Sequence, residues 1–173
     1  MENKVTFELS QAVHAFLFAE AELLDSWRIS EWLGFLDPSI RYFVPLRETR
    51  MKEDGTGFSK MMAMQDDDLA ALETRARRLT SKASWSENPA TRIRHHISNI
   101  RIHPAEGRGD PQKIAVKSNL IVFRSRGEEP EYDVISGERH DVLVGRPGKL
   151  RLLERTVFLD HTTVDTHNLA FFL

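Results

Sequence analysis

The chain predicts an α+β fold, with helices gathered on one face of a bent, largely antiparallel sheet. Three observations carry that prediction. Apolar residues recur at a helical period near the N-terminus, long alternating segments fill the second half, and the links between those segments are of hairpin length. Helices first and strands afterwards is the α+β order, where regular alternation would have meant a parallel sheet. At 173 residues and a formal net charge of −2, the chain suits a single domain over 1–173. A domain of that size buries roughly 70% of its unfolded surface, enough for a real core.

Each element follows from local chemistry. Leu9, Val13, Phe16, Leu17, Leu23, Leu24 and Trp27 keep a period near 3.6, so residues 9–27 read as an amphipathic helix. A short helix covers 29–35, and Asp37-Pro38 stops it. Residues 40–44, Ile-Arg-Tyr-Phe-Val, are β-branched or aromatic before Pro45 and form a strand. Residues 47–65 are polar, glycine-containing and Met-rich, and read as a long loop. Gly55-Thr-Gly57 with Lys60 lacks the spacing and the preceding strand of a phosphate loop. Asp66, Asp67 and Asp68 precede a helical stripe of Leu69, Leu72, Ala76 and Leu79, with Arg75, Arg77 and Arg78 towards its end. Acids before and bases after complement the helix dipole, which is a better account of the three carboxylates than a cation site.

The remaining segments are strands. Residues 93–102, 114–124, 132–143 and 150–159 are separated by turns at 105–111, 127–130 and 145–148, which gives an antiparallel meander. Gly137 inside the third of these marks a bulge or bend.

Composition removes several function classes. Cysteine is absent, so disulfides, thiolate-held metals and an iron–sulfur cluster held by this chain alone are excluded. Basic residues are dispersed, so no nucleic-acid footprint is expected. No basic-then-apolar leader opens the sequence, and no apolar run approaches the ~20 residues of a membrane span, so a cytoplasmic protein is expected. His95 and His96 raise the question of a metal site or an acid/base pair. On a strand, neighbours point to opposite faces, so the two cannot share a metal. His95 would share a face with Ile93, Ile97 and Asn99, and His96 with Arg94 and Ser98. Asp165 and His167 have part of a facial-triad spacing but no second histidine at a fitting position. A zinc helix of the His-Glu-x-x-His kind and a Gly-x-Ser-x-Gly elbow are both missing. From the residues alone, no catalytic, cofactor-binding or metal-binding set emerges. Glu154-Arg155 and Asp160-His161 read as exposed or ion-paired charges around a strand end.

Six stretches, in order, carry a family resemblance: "FLFAEAELLDSWRISEWLGFL", "IRYFVPLRETR", "ASWSENPATRIRHHISNIRI", "GERHDVL", "RLLERTVFLD" and "THNLAFFL". Together they resemble the small (β) subunit of the bacterial aromatic-ring-hydroxylating dioxygenases, the Rieske non-haem iron oxygenases. The resemblance implies a fold similar to nuclear transport factor 2, scytalone dehydratase and the cystatins. In that fold a strongly curved mixed sheet is closed into a cone by helices, and 40–44 would join the same sheet. It implies a large (α) subunit partner, commonly three large with three small. The large subunit would carry the Rieske [2Fe–2S] cluster, the mononuclear non-haem Fe(II) and the substrate pocket. Electrons from NADH would arrive through a reductase and a ferredoxin, and O2 would convert an arene to a cis-dihydrodiol.

The family assigns this subunit no catalytic residue and no cofactor. Trp85, Glu87, Pro89, Arg92, Arg94, His96 and Asn99 are expected in structural or subunit-contact roles. Arg139, Asp141, Arg155 and Asp160 are expected as strand-edge ion pairs. Asn168, Leu169, Phe171 and Phe172 form an apolar tail expected to dock in the core or on a partner, because free termini fray. The tail is similar to that of naphthalene-type systems, which implies a polycyclic arene. A second class of function stays open: a stand-alone dehydratase or isomerase of the same fold, with His95 or His96 and a carboxylate inside the cone as acid and base. A third is a module binding a small apolar ligand in the cone.

Overall fold

A computed structural model describes residues 5–48, 57–81, 91–104, 113–128, 130–161 and 171–173. Helix α1 spans Phe7–Asp25, α2 Ile29–Trp32, and a 3-10 turn follows at Leu33–Phe35. Then come β1 (Leu36–Arg47), β2 (Phe58–Asp67), α3 (Leu69–Thr80), β3 (Thr91–Pro104), β4 (Lys113–Arg126), β5 (Tyr132–Val144) and β6 (Arg151–Leu159). The six strands form one curved, unclosed sheet in the order β2-β1-β6-β5-β4-β3. Every neighbouring pair is antiparallel except β1–β6, which is parallel, so the sheet is mixed.

Local chemistry explains the helix ends. Thr6 caps α1 by accepting from Leu9 N at 3.1 Å, and Asp68 caps α3 by accepting from Ala71 N at 2.9 Å. Asp66 and Asp67 belong to β2, so only Asp68 serves the helix start. The first helix ends two residues earlier than its apolar period suggests. Arg28 N reaches Leu23 O at 2.8 Å and Trp27 N reaches Leu24 O at 3.1 Å, a Schellman closure with Trp27 at φ 56°. Glycine usually takes that left-handed position. Trp27 holds it while its indole N–H donates to Thr91 O at 3.0 Å, tying the helix end to β3.

Two expectations are corrected here. The loop expected over 47–65 is largely a strand: Arg47 belongs to β1, and residues 58–67 pair antiparallel with β1, from Tyr42 against Asp67 to Arg47 against Phe58. Its sequence, FSKMMAMQDD, lacks clean alternation because it is an edge strand with main-chain pairing on one side only. Residues 49–56 lie outside the described residues, as does the turn at 105–111. Gly137 is not a bulge, because the β4–β5 register runs through it unshifted. A Cβ there would stand 2.7 Å from Phe158 O, so close strand approach is what requires glycine.

The helices pack on the sheet around one apolar core. It includes Val13, Leu17 and Leu24 of α1, Trp32, Leu72 of α3, Leu120, Leu143 and Leu152. β4 and β5 alternate buried positions with half-buried or exposed ones, as strands more deeply covered on one face do. The free edge of β3 is covered at its start, where Asp25 accepts from His95 N at 2.9 Å. Among the described residues, no helix is long and apolar enough to cross a membrane.

Candidate functional site

Charged residues meet in the middle of the core. Glu20 lies on the apolar face of α1, between Leu17 and Leu24 at helical offsets, and is fully buried. Arg155 shares its parity on β6 with Val157 and Leu159, and Arg139 and Asp141 share theirs on β5 with Ile135 and Leu143. The four charged residues face inward and are at most 2% exposed. The strand-edge ion pairs expected for Arg139, Asp141 and Arg155 are therefore an interior network. The parity of these positions carried the signal, and so did the place of Glu20 in its stripe.

Arg155 is saturated. Its Nη1 and Nη2 donate to Glu20 Oε1 and Oε2 at 2.8 and 2.7 Å, and its Nε and Nη2 donate to Asp141 Oδ1 and Oδ2 at 2.9 Å each. Nη1 also donates to Leu173 O at 3.2 Å, which engages every guanidinium N–H. Trp32 Nε1 adds a donor to Glu20 Oε1 at 3.0 Å. Burial pushes the Glu20 carboxyl up, but Arg155 first and Arg139 next outweigh it and hold it at about 2. Burial acts against the Arg155 guanidinium, yet Asp141 and Glu20 raise it above its ordinary value.

Arg139 is in the opposite situation. Burial and then Arg155 lower its pKa. Its Nε is 3.5 Å from Ser118 Oγ, its Nη1 is 3.7 Å from Glu20 Oε2, and its Nη2 has no hydrogen-bond partner among the described residues.

Residues 171–173 close the network. Phe172 stacks on Trp32 with centroids 4.2 Å apart, meets Tyr42 edge-on at 6.5 Å, and has the Arg75 guanidinium 5.7 Å from its centroid. Arg124 sits 5.8 Å from the Phe171 ring. The Tyr42 hydroxyl donates to Leu173 O at 2.7 Å and accepts from Leu173 N at 2.8 Å. Burial pushes that hydroxyl up to about 12, so it stays a donor.

The two neighbouring histidines separate. His95 points inward, with Nδ1 2.7 Å from Asp25 Oδ1 and Nε2 2.9 Å from Phe172 O. Both partners are oxygens, so both bonds form only when a proton lies in each. His96 is exposed on the other side and pairs across to Ile121. Between α1 and β3 a surface groove of about 590 Å³ is lined by Phe18, Glu22, Asp25, Arg94, His96 and Ser98, among others. Asn99 does not continue the His95 face. It takes φ 50° where the β3–β4 register shifts, a bulge that asparagine tolerates.

The other predicted positions disperse. Arg92 is exposed and donates to Gly127 O at 2.6 Å, clasping the β4–β5 turn. Arg94 is exposed, with Nη1 3.8 Å from Asp25 Oδ2. Asp160 is exposed and accepts from Ser136 Oγ at 2.9 Å. Phe171 and Phe172 are buried. Trp85, Glu87, Pro89, Asp165, His167, Asn168 and Leu169 lie outside the described residues. Asp25 and Tyr42 went unnoticed in the sequence because their partners are 70 and 131 residues away. The fit to iron is poor on donor chemistry: no cysteine is present, and no three His, Cys, Asp or Glu among the described residues come together.

The family model described as "Ring hydroxylating beta subunit" matches residues 19–166. Benzene 1,2-dioxygenase subunit beta of Pseudomonas putida is 38% identical over 173 residues, covering 97% of this chain and 90% of that one. Biphenyl 2,3-dioxygenase subunit beta of Rhodococcus jostii (strain RHA1) is 39% identical over 169 residues, covering 95% and 88%. Among solved structures, naphthalene 1,2-dioxygenase with indole bound in the active site superposes at a TM-score of 0.86 with 26% identity, over 99% of this chain and 89% of that one. A protein provisionally assigned as a scytalone dehydratase, from Novosphingobium aromaticivorans, superposes at 0.63 with 14% identity over 92% and 89%, a likeness of fold.

Proposed function

The chain belongs to the ring-hydroxylating beta subunit family and is a subunit of an aromatic-ring-hydroxylating dioxygenase, and from that premise we propose that its own role is architectural. Its complex is an oxidoreductase, and its partner is the alpha subunit. The observation that carries the architectural reading is saturation at the centre. The two side chains best placed to do chemistry are already engaged: Arg155 uses all its donors on Glu20, Asp141 and Leu173, and His95 has an oxygen at each ring nitrogen, while Arg139 beside them keeps one Nη2 without a hydrogen-bond partner among the described residues. In this reading the 1–173 chain is one cytoplasmic domain with no catalytic or iron-ligating residue. Three copies assemble with three alpha subunits, and those subunits hold the Rieske cluster and the mononuclear iron. A ferredoxin and a reductase relay electrons from NADH, and the product is a cis-dihydrodiol. The relatives' names span one-ring and two-ring arenes, so the substrate class we infer is an aromatic hydrocarbon, a polycyclic one on the evidence of the tail. Arg92, Arg94, His96 and Asn99, on or beside the outer side of β3, are the proposed structural and subunit-contact positions.

One observation bears on the dehydratase reading. Asp25 and His95 form an acid/base-like pair, but the nitrogen that would face a substrate holds Phe172 O instead. The test is metal and product analysis. The isolated chain is expected to carry no stoichiometric iron and to turn over no arene. A complex bearing His96→Ala and His95→Gln is expected to keep the iron content and regioselectivity of the wild type at equal assembled concentration. Stoichiometric iron on the isolated chain, lost with the double substitution, overturns the proposal.

A further inference from the structure

The seat of residues 171–173 is built as a recognition site. Strand and helix neighbours are held by repeating main-chain bonds, whereas these residues are held by side chains drawn from elements across the fold. Trp32 of α2 supplies a stacking face, Tyr42 of β1 an edge, and Arg75 of α3 a cation near the Phe172 ring. His95 of β3 reads Phe172 O, Arg155 of β6 reads Leu173 O, and Tyr42 binds both the N and the O of Leu173. A ring slot with three side chains that read consecutive main-chain polar atoms is the chemistry of a peptide-binding pocket. The walls have their own supports: Glu20 fixes Trp32 and Arg155, Asp141 fixes Arg155, and Asp25 fixes His95. Those supports do not pass through the tripeptide, so Trp32, Arg155 and His95 stay in place without it.

We propose that this seat is a binding site for a short peptide carrying an aromatic residue followed by an aliphatic one, filled here by the chain's own Phe172-Leu173 and able to take the same sequence in trans. This rests on the seat's geometry and not on the dioxygenase reading.

The test uses the chain ended at residue 170 and a synthetic peptide of sequence NLAFFL. The shortened chain is expected to melt below the full chain. Its midpoint should rise with the logarithm of peptide concentration once the seat is half filled. The same peptide with alanine in place of the second phenylalanine should give no rise, and the full chain, already filled, should not respond. A folded shortened chain whose midpoint ignores the peptide overturns the proposal. If shortening abolishes folding, full-length Phe172→Ala replaces it, with benzene as the probe. An apolar void of ring size binds such a molecule, so a saturable midpoint rise absent from the wild type supports the ring slot. No rise in the variant overturns it.

Discussion

Arg155 and Arg139 are the same residue type, equally buried, and in opposite positions. Removing one member of a buried, hydrogen-bonded set strands the others, at a cost of about 3–5 kcal/mol. Arg155→Met leaves Glu20 and Asp141 without their shared partner, so a loss of that size is expected in urea denaturation. Arg139→Met removes a guanidinium whose side-chain hydrogen bond among the described residues is a long one of 3.5 Å, so a loss under about 1.5 kcal/mol is expected from a replacement of similar length. Equal losses for the two would contradict the partition of donors. Glu20 adds a pH signature. Its folded value of about 2 lies below the ordinary 4.5, so its contribution is complete above 4.5 and is lost as pH falls through 2. The stability gap between wild type and Glu20→Gln, on the order of 3 kcal/mol from that shift, should shrink across this window. A gap unchanged down to pH 2 would refute it. These residues were partly legible beforehand. A carboxylate inside an apolar helical stripe and three charges at buried strand parity could be read in the sequence, but which charge met which depended on pairings across 135 residues.

At the scale of elements, the alternating strands declared themselves, because one covered face imposes a period of two. The edge strand β2 did not. With one pairing partner and no apolar alternation, it is placed largely by main-chain bonds to β1, and those leave no mark on side-chain pattern. Two local backbone features also hid. At Asn99 the left-handed conformation predicts that Asn99→Gly is nearly neutral and Asn99→Val destabilises by about 1–2 kcal/mol. Thermal midpoints of the two variants, measured side by side, check this, and a harmless valine would deny the bulge. At Gly137 the neighbour is main chain and cannot rotate away. Gly137→Ala should therefore cost about 1–3 kcal/mol as overpacking, visible as a lower urea midpoint with unchanged m-value.

For the whole molecule, helices on one face of a bent, largely antiparallel sheet were legible from element order alone, while the parallel contact between β1 and β6, which makes the sheet mixed, was not. That contact and the interior network have a consequence for how the chain reaches its native state. Glu20 meets Arg155 across 135 residues, Tyr42 meets Leu173 across 131, and His95 meets Phe172 across 77. Contacts so distant in sequence form late, because the entropy of closing the loop is lost before the contact repays it. The β4–β5 hairpin is the opposite case, with Ser125 paired to Tyr132 only a turn away. Folding should therefore begin in the meander and end with the network. The expected kinetic mark is that Tyr42→Phe speeds unfolding and leaves the folding limb of the chevron nearly unchanged. A folding rate that fell as much as stability would mean the network is already in place at the barrier. If it forms last, the ionic centre sets how long the native state survives once made and has little say in how fast it is found.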